Sequence, residues 1–142
     1  MSTLKVNTIQ DASGNNSSTA EQIAQGRCKA WVNFDGTFGT SPFTVGNGGI
    51  RTAFNVSSVT DNGTGNYTIT FSSALANANY CPVQMTLAED TSGCQRNTVL
   101  RGNKNTGPTT MTTSACRINT GSTSSNVFSD STHVFLTIFG DN

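Results

Sequence analysis

Four cysteines, Cys28, Cys81, Cys94 and Cys116, and a single histidine, His133, are the residues best equipped to bind a soft metal, cross-link or act as a nucleophile. The cysteines lie far apart and form no Cys-x-x-Cys pair. A structural zinc needs four soft ligands, usually with short spacings, so none is expected here. His133 sits between Thr132 and Val134, and the chain has neither a Gly-x-Ser-x-Gly elbow nor a cysteine nucleophile motif. It reads as a strand-edge histidine rather than a triad member. Glu89 and Asp90 are adjacent, and neighbours on a strand point to opposite faces, which suits a solvated loop end better than shared acid–base work. Asp35, Asp61, Asp130 and Asp141 are isolated in turn-like sequence, where aspartate satisfies local backbone donors. Asp61-Asn62-Gly63 lacks the spaced carboxylates of a calcium loop. Gly46-Asn47-Gly48-Gly49 lacks the lysine and following helix of a phosphate loop. No catalytic residue, metal or cofactor is therefore expected, and the chain reads as a non-enzyme.

Three of the cysteines share a phase with apolar neighbours: Cys28 with Ala30, Val32 and Phe34, Cys81 with Val83, Met85 and Leu87, and Cys116 with Ile118. All three are predicted to point inward, as small core hydrophobes do. The aromatic residues offer a binding chemistry. Trp31 falls on the phase opposite Ala30, Val32 and Phe34, and should face away from that strand's core side. Phe38 and Phe43 lie in the loop from Gly36 to Gly49, where large apolar groups are unusual. Trp31, Phe38 and Phe43 could stack on sugar faces while Asn33 and Asn47 bond hydroxyls. The competing reading buries them in a subunit interface or against a second sheet.

The elements that must position these residues are strands. Apolar and polar residues alternate through Ile50, Phe54 and Val56, and again through Tyr67, Ile69 and Phe71, around Asp61-Asn62-Gly63-Thr64-Gly65-Asn66. That turn holds residues tolerant of positive φ, so a hairpin is predicted. Strands are expected at 28–34, 50–59, 66–72, 80–88, 94–101, 109–119 and 132–139, with glycine-rich and asparagine-rich turns between them. The expected fold is all-β: an antiparallel β-sandwich or jelly-roll-like domain over residues 26–142, preceded by a short N-terminal arm, residues 1–25. The arm combines a short alternation, Leu4 to Ile9, with a possible helical turn or two from Thr19 to Gly26, and has too few apolar groups for a core of its own. Val134 to Phe139 is apolar on both phases, which requires a central strand or cover from another subunit.

Composition restricts the partners. Charged residues make up 11% of the 142, the net charge is zero, and Ser, Thr and Asn form about two-fifths of the chain. The basic residues do not cluster, so nucleic acid and acidic membrane surfaces are not expected partners. No apolar run approaches the roughly 20 residues of a spanning helix, and Met1 to Val6 lacks the apolar centre of a secretory signal, so synthesis in a cytoplasm without membrane insertion is expected. No repeat of 20–50 residues and no every-third-residue glycine is present, which excludes a solenoid, a propeller or a collagen-like shaft.

The wording AWVNF (30–34), IRTAFNVSSVTDNGTGNYTITF (50–71) and ANANY (76–80), with LKVNTIQDASGN (4–15) at the start, resembles tail-fibre-type proteins of tailed bacteriophages, especially those of the cyanophage type. The resemblance implies a structural virion protein, made in the host cytoplasm. Its short N-terminal segment would join it to other virion proteins or to neighbouring chains, usually in threefold bundles, and its β-domain could face a host-surface glycan. It also opens a second reading of the cysteines: one or two disulfides among Cys28, Cys81, Cys94 and Cys116 formed outside the cell, with three possible pairings. Tail fibres usually carry long shafts and this chain has none, so a capsid decoration or cement protein and a carbohydrate-binding module stand as alternatives.

Overall fold

The computed structural model describes residues 2–3, 5–15, 17–86, 96–100, 111–122 and 127–140. In chain order the elements are β1 (Thr8–Ile9), β2 (Ser18–Thr19), α1 (Ala20–Gly26), β3 (Ala30–Phe34), β4 (Ile50–Phe54), β5 (Val56–Asp61), β6 (Asn66–Phe71), β7 (Cys81–Thr86), β8 (Arg96–Leu100), β9 (Ala115–Ser122), β10 (Val127–Phe128) and β11 (Val134–Phe139). Two antiparallel sheets form a β-sandwich. One runs β4-β3-β11-β7. In the other, β5, β6 and β9 pair in order, and β8 and β10 both pair with β9. β6 takes residues 115–119 of β9 and β10 takes 121–122, whereas β8 pairs across 118–122, so β8 must lie on the opposite edge. The last strand is central, flanked by β3 and β7, which is one of the two solutions its two-faced apolar pattern allowed.

Inward residues of both sheets form one core. Ala30, Val32, Phe34, Val134, Leu136 and Ile138 from the first sheet meet Val59, Tyr67, Ile69, Phe71, Cys116 and Ile118 from the second. Phe34 meets Tyr67 edge to face at 5.1 Å between ring centroids, a geometry favoured by the ring quadrupoles.

The sequence suggested one strand over 50–59, but the chain turns at Asn55, the one non-glycine described residue with positive φ (54°), and β4 and β5 enter different sheets. The Asn55 side chain secures this corner. Its Nδ2 donates to the carbonyls of Lys29 (3.1 Å) and Ser73 (3.2 Å), and its Oδ1 accepts from the Ser73 amide (2.8 Å). The phase of β4 also differs from expectation. A register shift beside Asn33 and Phe34 pairs Phe34 with Ile50 but Asn33 with Thr52, so Ala53 packs inward and Phe54 faces out. The hairpin at 61–66 is present, closed by the Asn62 amide on the Asn66 carbonyl at 2.8 Å.

The N-terminal arm holds a two-residue ladder and a capped helical turn. Thr19 Oγ1 accepts from the Gln22 amide at 3.1 Å, and Gln22 Oε1 accepts from the Thr19 amide at 2.9 Å, a reciprocal capping box. None of the buried core residues belongs to β1, β2 or α1.

Three ionisable groups are locked in the core, and they make stability sensitive to alkali. Burial pushes the Cys116 thiol up to about 11. Burial also raises both phenols, and Asp130 beside Tyr67 raises that one further. An acid whose folded pKa is raised keeps its proton in the fold and loses it first in the unfolded chain. Unfolding therefore releases protons, and stability falls as pH rises through this window. Stability is expected to hold up to about pH 8.5 and then drop by up to about 3 kcal/mol from Cys116 alone as pH approaches 11. Urea midpoints at several pH values will show the slope, and Cys116→Val should reduce it.

Candidate functional site

The outward faces of the two sheets differ in character. On β5, β6 and β9 the outward partners are Ser58 with Thr70, Thr60 with Thr68 and Thr68 with Arg117, while Asn119, opposite Asn66, is buried. That surface is polar, mostly hydroxyl with one guanidinium, the usual state of a sheet with one solvated side.

The outer face of β4-β3-β11-β7 is built otherwise. Strand register places Phe54, Trp31, Thr137 and Val83 in one row across the four strands. Thr52, Asn33, Phe135 and Met85 form the next, and Phe139 lies opposite Cys81 beyond the first. Phe54 is 53% exposed, Val83 50%, Met85 64% and Phe135 36%. Four strands about 4.8 Å apart, each contributing alternate residues about 6.8 Å apart, give a face on the order of 400 Å², in which Thr52, Asn33 and Thr137 are the polar positions of the two rows. Patches of that size on a soluble protein are often functional. Aromatic residues and methionine enriched, with carboxylates and lysine absent from the outward strand positions, is the composition of an interface centre. Charge appears only at a corner, where Arg51 pairs with Asp35 at 3.2 Å while Asp35 also accepts from the Thr37 amide and hydroxyl.

Strand β7 is the least expected part of this face. Its alternation was read with Cys81, Val83 and Met85 inward. The structure puts Pro82, Gln84 and Thr86 inward and Cys81, Val83 and Met85 outward. Gln84 Oε1 and Thr86 Oγ1 are buried and have no hydrogen-bond partner among the described residues. The hydropathy of Val and Met indicated the core, and the register against β11 decided otherwise.

Of the three aromatic residues proposed as binders, Trp31 lies on this face, half-buried between Phe54 and Thr137. Phe38 and Phe43 are elsewhere. Phe43 is fully buried, bridges to Val59 through both backbone hydrogen bonds, and packs 6.1 Å from Phe34 and 6.3 Å from Tyr67. Phe38 stands edge to face on it at 5.8 Å. The loop folds back over the sandwich because Thr44 and Asn47 clasp each other, Asn47 Oδ1 accepting from the Thr44 and Gly49 amides. Its two rings therefore close one end of the core, and Phe43 has no surface left for a ligand.

Cys28, Cys81 and Cys116 are free thiols, half-buried, exposed and buried respectively, so no disulfide joins any two of them. Cys94, Glu89, Asp90 and Asp141 lie outside the described residues. His133 stacks on Phe135 at 6.3 Å with its Nδ1 3.0 Å from the Thr132 hydroxyl. No group of three or more His, Cys, Asp or Glu among the described residues could hold a metal. No helix among the described residues is long and apolar enough to cross a membrane.

Sequence reasoning placed Asp130 in a turn where it would serve local donors. Its carboxylate instead reaches across the molecule, accepting at Oδ1 from the Tyr67 hydroxyl and the Gly65 amide, both at 2.6 Å. This is a structural hub rather than a catalytic dyad, because the phenol is fully buried and its proton is held.

The arm carries a second apolar surface. Val6, Ile9, Ala20, Ile23, Ala24 and the cationic Arg27 line a cleft of about 310 Å³ between α1 and the strand segment before it. Val6 is 44% exposed, Ile9 56% and Ile23 36%. No family model, no curated protein and no solved structure matches the chain.

Proposed function

We propose that this chain is a non-enzymatic structural protein of a tailed-phage virion, a small tail-fibre component that assembles with copies of itself as a homotrimer. Residues 1–25 attach it to other virion proteins, and the β-domain is presented toward the host surface. The observation that carries the reading is the apolar outer face of β4-β3-β11-β7, a surface suited to protein contact on a domain with a polar opposite side. The resemblance of the arm and of the AWVNF and IRTAFNVSSV segments to fibre proteins supplies the setting.

Virions lacking the protein test this reading directly. They are expected to adsorb poorly to host cells while keeping normal heat and osmotic resistance. Normal adsorption with lost heat resistance would instead establish the capsid cement reading, which the arm's own exposed cleft favours. Incubated with host-surface polysaccharide, the purified protein is expected to release no sugar. Substrate-dependent release would overturn the non-enzymatic assignment.

A further inference from the structure

Hydropathy and register disagree on β7, and two residues at its start decide between them. A slip of one residue against β11 would carry Val83 and Met85 into the core. It would also bring out Gln84 and Thr86, whose buried side-chain oxygens have no hydrogen-bond partner among the described residues. Both changes favour the slip. The strand nevertheless keeps the register that exposes Cys81, Val83 and Met85.

Tyr80, the residue before β7, sets the phase. It is buried, its ring meets Phe71 edge to face at 5.9 Å, and its hydroxyl lies 3.2 Å from the Thr112 carbonyl and 3.0 Å from that of Ala115. Counting from an inward Tyr80, strand alternation turns Cys81, Val83 and Met85 outward. With Tyr80 fixed, a slip that buries Val83 needs one extra residue bulged between the two.

Pro82 opposes the slip through its backbone. The amide of Lys29, just before β3, donates to the Ile138 carbonyl at 2.8 Å, so Ile138 bonds toward β3. Bonding direction alternates along a strand, so Phe135, Thr137 and Phe139 bond toward β7, where they lie opposite Met85, Val83 and Cys81. Pro82, Gln84 and Thr86 therefore turn their backbone groups away from β11, on an edge strand of the sheet. Proline has no N–H to give, and this is the phase in which β11 requires none. Slipped by one residue in either direction, Pro82 would stand opposite Phe139 or Thr137 and deprive that carbonyl of its ladder donor.

We infer that Tyr80 and Pro82 form a register latch, which holds β7 in the phase that presents Cys81, Val83 and Met85 on the outer face against the strand's own hydropathy. The latch decides the character of the candidate surface. In the observed register all four strands give the face large apolar side chains, whereas after a slip β7 would give it Gln84 and Thr86. The apolar face would then narrow to three strands. This goes beyond the proposed function, because it concerns how the face is made and stands apart from any virion role.

Register-specific disulfides on the full chain test it. Val83→Cys with Thr137→Cys sets two thiols opposite each other on the outer face in the observed register, with Cα atoms about 5.5 Å apart and within disulfide reach. Gln84→Cys with Thr137→Cys sets them opposite only after the slip that bulges one residue. Both pairs are made with Cys81→Ser, and peptide mass spectrometry after mild oxidation identifies each bond. With Tyr80 and Pro82 in place, the pair at 83 and 137 should close at least about 10-fold faster than the pair at 84 and 137. Tyr80→Phe with Pro82→Thr keeps the ring and a good strand former, and should release the latch and reverse that order. A released variant in which the pair at 83 and 137 still closes first would overturn the latch. If the pair at 84 and 137 closed first with Tyr80 and Pro82 present, the register on which the inference rests would fall. A proline scan reads the backbone half on its own and needs no released variant. Gln84→Pro should leave the urea midpoint close to that of the unmodified chain, whereas Val83→Pro, which removes a ladder donor opposite Thr137, should lower it sharply or abolish the transition. Equal losses at 83 and 84, or a larger loss at 84, would show that Pro82 does not select the register.

Discussion

Phe43→Ala is expected to cost 3–5 kcal/mol, among the largest losses any single substitution in this chain can produce, although residue 43 sits in a loop whose sequence invites a binding role. The ring is fully buried between Phe34, Phe38 and Tyr67, and its backbone amide and carbonyl bond to Val59 at 2.7 and 3.0 Å. Gly49 packs so tightly on it that a Cβ there would lie 2.7 Å from the Phe43 Cβ, leaving the loop little room to collapse into the cavity. Trp31→Ala should cost less. Trp31 lies half-buried on the outer face, so in the single chain its loss should be smaller than that at Phe43, about 1–2 kcal/mol. Chemical denaturation of dilute, monomeric protein measures both. Equal losses at the two positions would mean that the loop ring is not part of the core.

That contrast shows what the sequence could and could not convey. Alternation marked β3 and β6 correctly, because strand periodicity is a local property, and the two-faced apolar run of β11 allowed the central place it takes. The glycine-rich and asparagine-rich turn marked the β5–β6 hairpin for the same reason. Alternation also ran unbroken through Asn55, where the chain leaves one sheet for the other. Three bonds from its side chain to Lys29 and Ser73, 26 and 18 residues away, fix that corner. Strand β7 was assigned its faces by hydropathy, a rule that assumes the outer side of a sheet is wet. The rule holds for β5-β6-β9 and fails for β4-β3-β11-β7, so the misreading of Cys81, Val83 and Met85 coincides with the face argued to be functional. The N-terminal helix was legible from its cap residues, while the apolar cleft of the arm depends on how α1 and the preceding segment meet.

Asp130→Ala is expected to destabilise the domain by about 3–5 kcal/mol, the sum of two hydrogen bonds to a charged group. Nothing near Asp130 in sequence announces this, since its phenol partner Tyr67 lies 63 positions earlier. The same Tyr67 hydroxyl is 2.9 Å from the Gly36 carbonyl, and the Gly36 amide donates to Ser131 at 2.8 Å. Gly65, the other donor to Asp130, accepts from the Thr120 amide at 2.8 Å, and Thr120 Oγ1 donates to the Ser129 carbonyl at 2.6 Å. The segments at residues 36, 65–67, 120 and 129–131 are thus joined in one hydrogen-bond network around the Tyr67 hydroxyl and the Asp130 carboxylate. Asp130→Asn keeps an oxygen acceptor without the charge, so its loss should be smaller, about 1–2 kcal/mol. Gly65→Ala attacks the same knot from the backbone. Its φ is +61°, and a Cβ would clash with the Thr120 carbonyl oxygen and meet the Ser129 amide nitrogen at 2.8 Å. The left-handed conformation costs alanine about 1 kcal/mol, and displacing two fixed backbone groups adds about 1–3 more. Asp130→Ala and Gly65→Ala together should lose clearly less than the sum of the two alone, because each releases the Gly65–Asp130 bond. Additive losses in that double-mutant cycle would show that the carboxylate and the glycine turn are held independently, and the hub would then be two separate contacts.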